Sequence, residues 1–412
     1  MKYLITLLLL LPAVIYAQAY TAEQLIDIGL ENNFGIKQSE ASYQISKERL
    51  GIARWDALPE LSANLNATHD FEATGDKNSN SLSVRLSKRI SLIDQSYYQN
   101  KFAKYDLESA EIKLDNDRRD FVFKVLKSYI ELLSKQKQLE LQNNNLQIQQ
   151  SIVNQSKILL KQKKNTEFDV RQSEITLLNL QITIKNLEND IKNSRKALFN
   201  TLNIVDEGYQ IAELDTPEIE AIPGLNLDDV PELVNLKRDI ERDEISLTQS
   251  KLNFLPDLTL SYQYGKTKSG YEFEFNNTRT GHTLALDASY SLWNFFKHGK
   301  EHTQTRLSQK IKKLNYESSK QSVETKYAQY QDQLDYLNEM DELYQLKKEH
   351  AEENLNIAEQ KYQLGMIQQI ELDKARYEFL DATIGVETNK YKLLETYESI
   401  NYLLAKKLLN KY

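Results

Sequence analysis

The chain has 412 residues, a formal net charge of −8, 27 % charged residues, only 12 glycines and 6 prolines, and no cysteine. Disulfides, thiolate nucleophiles, cysteine zinc sites and a cysteine-borne lipid anchor are thereby excluded, and the acidic balance argues against nucleic acid as a partner. So little glycine and proline, with 24 tyrosines against 2 tryptophans, points away from an ordinary globular enzyme and towards long polar helices carrying an apolar stripe.

Residues 1–19 read as a secretory signal peptide. Lys2 gives a basic start, Leu4 to Ile15 form an apolar run too short to span a bilayer as a helix, and cleavage is expected after Ala17 or Ala19. No later run of 18 apolar residues occurs, so no transmembrane helix is expected. Residues 20–203 form a first repeat, 204–231 a proline-containing linker, and 232–412 a second repeat, each half reading helix, two strands, long helix, helix. Ala57-Leu58-Pro59-Glu60-Leu61-Ser62 answers to Phe254-Leu255-Pro256-Asp257-Leu258-Thr259, Ser91-Leu92-Ile93-Asp94 to Ser291-Leu292-Trp293-Asn294, and Glu167-Phe168-Asp169-Val170 to Gln369-Ile370-Glu371-Leu372.

Four segments alternate with period two. Leu61, Ala63, Leu65, Ala67 and Phe71 share one parity; Leu82, Val84, Leu86, Ile90 and Leu92 another; then Leu258, Leu260, Tyr262 and Tyr264; then Leu284, Leu286, Ala288, Tyr290 and Leu292. Alternation in segments of about ten residues is the pattern of outer-membrane strands, or of a soluble sheet with one buried face. Lys88 breaks its strand's apolar parity, which snorkelling or a bulge would accommodate. Stretches 95–163 and 297–363 are nearly free of breakers, so each predicts a helix on the order of 100 Å long that needs coiled-coil partners. Lys163-Lys164-Asn165-Thr166 and Leu364-Gly365-Met366 predict the two hairpin turns.

Four strands cannot close a barrel, and an open edge in lipid leaves backbone groups unpaired. Copies must therefore share one barrel: two would give eight strands, three would give twelve and room for a pore. The fold class expected is mainly α with a membrane β-barrel portion, built from long helical hairpins and four strands per chain.

The paired junctions Leu58-Pro59-Glu60-Leu61 and Leu255-Pro256-Asp257-Leu258, the exit Ser289-Tyr290-Ser291-Leu292-Trp293-Asn294, and Lys361-Tyr362-Gln363-Leu364-Gly365 resemble the TolC family of outer-membrane export channels. The resemblance covers essentially the whole mature chain. It implies a homotrimer with a twelve-stranded barrel in outer-membrane lipid and a helical tunnel crossing the periplasm. It further implies an outer-membrane channel of a tripartite efflux or type I secretion system. The implied partners are a periplasmic adaptor (membrane fusion) protein and an inner-membrane transporter of RND, ABC or MFS type. No cofactor, metal or catalytic residue is implied, and the protein is expected not to be an enzyme.

The resemblance also places residues. Glu371 falls on an acidic aperture position, where three copies would concentrate negative charge; otherwise it is a solvated helical carboxylate. Lys374 stands where a second acid is expected, and Asp373 faces elsewhere. Tyr362 and Asp169 match a latch that holds the tunnel shut, although Tyr362 also suits plain coiled-coil packing. Ile367 replaces a basic residue that reinforces that latch. Trp55, Trp293, Phe295 and Phe296, at strand ends, suit an aromatic girdle or ordinary packing. His298 and His302 read as surface histidines, not a metal site. A structural coiled-coil surface protein and a periplasmic adaptor subunit are the rival readings; the paired strand hairpins argue against the first, and the presence of two helical hairpins against the second.

Overall fold

The computed structural model describes residues 19–69, 71, 78–89, 95–214, 223–252, 254–269, 279–290 and 292–411. The expected signal peptide lies outside them except for its last residue, as do Ile90 to Asp94, Ser291 and the middle of the linker.

The elements run α1 (Ala22–Asn32), α2 (Phe34–Asp56), β1 (Glu60–His69), β2 (Asn78–Arg89), α3 (Gln95–Lys161), α4 (Glu167–Leu202), α5 (Pro231–Leu252), β3 (Asp257–Ser269), β4 (Arg279–Ser289), α6 (Leu292–Gln363) and α7 (Gln369–Leu403). The sequence α2-β1-β2-α3-α4 recurs as α5-β3-β4-α6-α7. Helices α3 and α6, at 67 and 72 residues, each extend about 100 Å. Two details differ from the sequence reading. Phe71 lies past the end of β1, and Leu292, expected to close the fourth strand, opens α6.

The chain divides into two compact units, and each draws on both repeats. The first takes residues 1–37, 117–225 and 324–412. Its main core joins Leu25 and Ile26 of α1, Phe121 to Leu133 of α3, Leu198 to Leu202 of α4, Leu394 of α7 and Leu408. Gly29 is required here, because a Cβ at that position would come within 2.5 Å of the Phe121 ring and 2.7 Å of Leu202. Between α1 and α2, Asn33 turns the chain: its side-chain amide donates to the Thr201 carbonyl at 3.0 Å, and its side-chain oxygen accepts from the Ile36 N–H at 3.1 Å.

The described part of the linker is not loose. Arg195 grips Asp206, a parallel bridge joins Tyr20 to Ile211, and Tyr209, Ile211 and Leu214 pack on the core. Tyr129, fully buried, donates its hydroxyl proton to the Ala212 carbonyl at 2.5 Å. Burial holds that phenol protonated well above its ordinary range.

The α6–α7 hairpin meets along a seam in which Leu372, Ala375, Ala382, Val386, Asn389, Leu393 and Ile400 of α7 are buried at spacings of three, four and seven. That is the coiled-coil period. Asn389 pins the register: its amide donates to the Leu337 carbonyl at 3.0 Å and to Asp341 at 3.2 Å. Asn389 stays in the seam because both partners are supplied by α6.

The second unit takes residues 38–116 and 226–323, and with them all four strands. Arg238 of α5 pairs with Glu108 of α3, Arg242 with Asp106, and Lys312 of α6 with Asp243 of α5 at 2.9 Å. His302, read as a surface residue, is hydrogen-bonded to buried Ser250 at 2.8 Å; His298 bonds Glu301 at 2.8 Å. No cluster of metal-ligating side chains forms among the described residues.

Candidate functional site

The four strands form one antiparallel sheet in the order β1-β2-β3-β4. Its centre joins the two repeats, with β2 pairing β3 from Ser79↔Ser269 to Arg89↔Thr259. The register carries the period-two pattern across all four strands. Leu61, Leu86, Tyr262 and Leu284 make one row; Ala63, Val84, Tyr264 and His282 make the next on the same face. The alternate rows are polar, as in Ser62, Arg85, Gln263 and Thr283. The sheet therefore has one apolar and one polar face, and among the described residues nothing buries the apolar one. Leu61, Leu65, Leu284 and Leu286 on the outer strands are 71, 60, 72 and 68 % exposed, and Leu82, Val84 and Leu86 inside are still 39, 40 and 43 % exposed. A contiguous apolar face of this kind does not persist against water. Among the described residues, β1 pairs only with β2 and β4 only with β3, so both sheet edges are open.

Lys88, the exception on the apolar face, has a simple partner. The β2–β3 register runs through Lys88↔Leu260 without a bulge, and the ammonium donates to the Ala57 carbonyl just past the end of α2. A cation at a helix C-terminus satisfies a carbonyl that has no partner in the helix.

Trp55 in the last turn of α2, and Trp293, Phe295 and Phe296 in the first turns of α6, are all exposed. Phe295 also packs edge-on against Phe254, with ring centroids 5.5 Å apart. A second aromatic group escaped the sequence reading. Tyr262 hydrogen-bonds His282 at 2.7 Å, and the His282 and Tyr264 rings lie 5.0 Å apart on the apolar face. The alternation of Tyr262 and Tyr264 was legible; His282 was missed because β4 begins five residues before its apolar run.

The hairpin turns are two copies of one local design. In the first, the Lys163 N–H donates to the Leu160 carbonyl and the Lys164 N–H to Leu159, with Lys163 left-handed at φ 59°. In the second, the Gly365 N–H donates to Tyr362 and the Met366 N–H to Lys361, with Gly365 at φ 71°. These close the last helical turns with a left-handed residue, the usual solution for orphan carbonyls. Each following helix then begins on a carboxylate three residues in. Asp169 accepts from the Thr166 N–H at 2.9 Å and the Thr166 hydroxyl at 2.6 Å. Glu371 accepts from the Gln368 N–H at 3.3 Å. The two Thr166 bonds hold the Asp169 carboxyl below its ordinary range.

Tyr362 and Glu371 are exposed and Asp169 is half-buried, and Asp169 and Tyr362 form no hydrogen bond to each other within the chain. Ile367 is packed beside Leu372 and Ala375. Asp373 is the unexpected group. It turns inward and is fully buried, accepting from Gln369 at 2.9 Å and Arg376 at 3.4 Å, while its Oδ2 has no partner among the described residues. Arg376 also reaches Glu359 of α6 at 3.5 Å. Burial pushes the Asp373 carboxyl above its ordinary range.

A family model described as outer membrane efflux protein matches residues 25–203 and 226–406. Solved structures share the fold along nearly the whole chain. One, from a study of CusC and transmembrane channel formation, has a TM-score of 0.83 at 15 % identity, covering 94 % of this chain and 92 % of its own. The CmeC outer membrane channel of Campylobacter jejuni has a TM-score of 0.80 at 15 % identity, covering 95 and 87 %. The open state of the MtrE outer membrane channel of Neisseria gonorrhoeae has 0.77 at 17 %, covering 94 and 89 %. Comparison with curated proteins by sequence gives no match. The family match takes in both repeats and leaves out only residues 204–225 of the linker and the chain ends: the chain belongs to the outer membrane efflux protein family, whose members are channels of the outer membrane and not enzymes.

Proposed function

We propose that three copies of the chain close a twelve-stranded barrel, β1 of each copy pairing with β4 of the next. In this reading the apolar face meets lipid, the polar face lines the lumen, and long helical hairpins continue the duct through the periplasm. The duct is passive. It receives substrates from an inner-membrane transporter of RND, ABC or MFS type through a periplasmic adaptor, in tripartite efflux or type I secretion.

The observation that carries this reading is the open sheet with an exposed apolar face. Unpaired backbone groups cost several kcal/mol each in hydrocarbon, so such edges must be joined. Four strands fall short of the about eight with which membrane barrels begin. Three copies also place Glu371 in a ring, with Asp169 and Tyr362 as a latch between hairpin turns. Trp55, Trp293, Phe295 and Phe296 form the periplasmic-side girdle.

The test is the mass of the detergent-solubilised complex by light scattering. Because the chain has no cysteine, cysteines introduced in β1 and β4 add an unambiguous crosslink. A trimer whose subunits crosslink β1 to β4 is expected. A monomer, or a dimer with eight strands, overturns the arrangement.

A further inference from the structure

The polar face of the sheet is uneven. One rung holds Asn64, Ser83, Gly265 and Gly281, and another holds Glu60, Ser87, Ser261 and Ala285. Between them lies the rung Ser62, Arg85, Gln263, Thr283, on which Arg85 is the largest side chain. Its guanidinium donates to the Gln263 side-chain oxygen from Nη2 at 2.8 Å and from Nε at 3.2 Å. That contact fixes one edge of the planar group and uses two of its five N–H donors, leaving the rest of the fork for a ligand. Gln263 contributes no charge, so the cation is held without being neutralised.

The neighbours set the contrast. Among the described side chains of this face, Arg85 is the one cation. The acids are Glu60 and Asp257, which open β1 and β3, and Asp287, two residues before the end of β4. Glu60 lies two residues from the Arg85 rung, roughly 7 Å along the strand, and Asp287 lies four residues away, roughly 13 Å.

We propose that Arg85, presented by Gln263, is a specificity-determining group of the barrel lumen that recruits solutes bearing a carboxylate or phosphate. This rests on the reading above that the polar face lines the lumen. On its own rung Arg85 is the one charged side chain, with small residues and Asn64 on one neighbouring rung and Glu60 the one long side chain on the other, so the guanidinium is the largest group a solute meets at that level. A fork with free donors matches the geometry of an oxyanion. Rings of arginine or lysine favour anions in other pores.

The experiment uses the full-length protein in planar bilayers under a KCl gradient, with citrate and inorganic phosphate as separate blockers. Arg85→Gln is expected to shift the reversal potential towards cations and raise the blocking concentration of both anions by about tenfold. Arg85→Lys, which keeps the charge without the fork, should retain ion preference but lose most of the block. In Arg85→Cys, modification by a trimethylammonium thiol reagent should shift the reversal potential back towards anions, and a sulfonate reagent should not. Block lost for citrate alone, or for phosphate alone, identifies which oxyanion the site takes. Labelling separates the two levels of inference. If a membrane-impermeant reagent labels Arg85→Cys but not Leu86→Cys while selectivity and block match the unmodified channel, the Arg85 assignment is overturned. If Arg85→Cys is shielded and Leu86→Cys is labelled, the lumen reading itself falls.

Discussion

Lys163 and Gly365 occupy the same left-handed position in the two hairpin turns, at φ 59° and 71°. They are 202 residues apart, the same offset that separates Asp169 from Glu371 and Thr166 from Gln368. The repeat thus extends to individual backbone torsions, but the residue that meets the demand differs. Glycine adopts this torsion freely, whereas a side chain pays about 1–2 kcal/mol. Lys163→Gly should therefore stabilise the first turn by up to about 1 kcal/mol, and Gly365→Ala should destabilise the second by a similar amount. Thermal melting of the assembled protein checks both; shifts of the same sign would contradict the turn geometry.

The sheet's two faces predict unequal sensitivity to charge. Arginine at Leu65 or Leu286 places charge on the apolar face, at about 2–4 kcal/mol near a bilayer midplane. Arginine at Asn64 or Ser289, one face over, should be far milder. Yield of folded trimer in outer-membrane extracts is the readout, and equal losses in the two classes would reject the lipid assignment.

For the proposed latch, Tyr362→Phe combined with Asp169→Asn should raise single-channel conductance. Each lost hydrogen bond accounts for about 0.5–1.5 kcal/mol, or about 1.5–3 with charge assistance. Because Asp169 also caps α4 through Thr166, Thr166→Ala is the necessary control. If it raises conductance as much as the double variant, the effect belongs to the helix start and not to a latch. Glu371→Gln should leave conductance alone and weaken both cation preference and block by multivalent cations.

Burial raises the Asp373 carboxyl, so the folded hairpin binds this proton more readily than the unfolded chain does. Its favourable contribution is complete below the ordinary carboxylate value and fades as pH rises through the raised value. Arg376 and Gln369 oppose the shift from α7, and Glu359 faces Arg376 from α6. Hydrogen exchange over residues 355–380 should accordingly slow on acidification through the carboxylate range. Asp373→Asn should flatten that dependence, and an unchanged pH profile in the variant would assign it to another group.

Gly29 predicts a simpler loss. With Phe121 and Leu202 already in the space of a Cβ, Gly29→Ala should cost about 1–3 kcal/mol by overpacking, read as a lowered melting temperature without altered ion selectivity.

Much of this architecture was legible residue by residue. Period two marked Leu61 to Ala67 and Leu284 to Ala288 as strands with one apolar face, and the absence of breakers between Gly75 and Gly208 announced α3 and α4. The hairpin turns and the internal repeat followed from short motifs. These are local properties: side-chain alternation and torsional preference are set within a few residues, so they survive in one dimension. What stayed hidden depends on residues far apart in the chain. Periodicity says which face Arg85 is on, but only the β2–β3 register brings it to Gln263, 178 residues away. Lys88 broke a pattern until the end of α2 supplied a carbonyl. Asp373 looked like one more helical acid, because helical phase places it near the seam without saying whether α6 covers it. The linker seemed structureless, since Tyr209, Ile211 and Leu214 follow no period, yet they fill a core built by α1, α3 and α4. Burial and pairing are properties of the partner as much as of the residue, and the partner's position is settled only when the whole chain has packed.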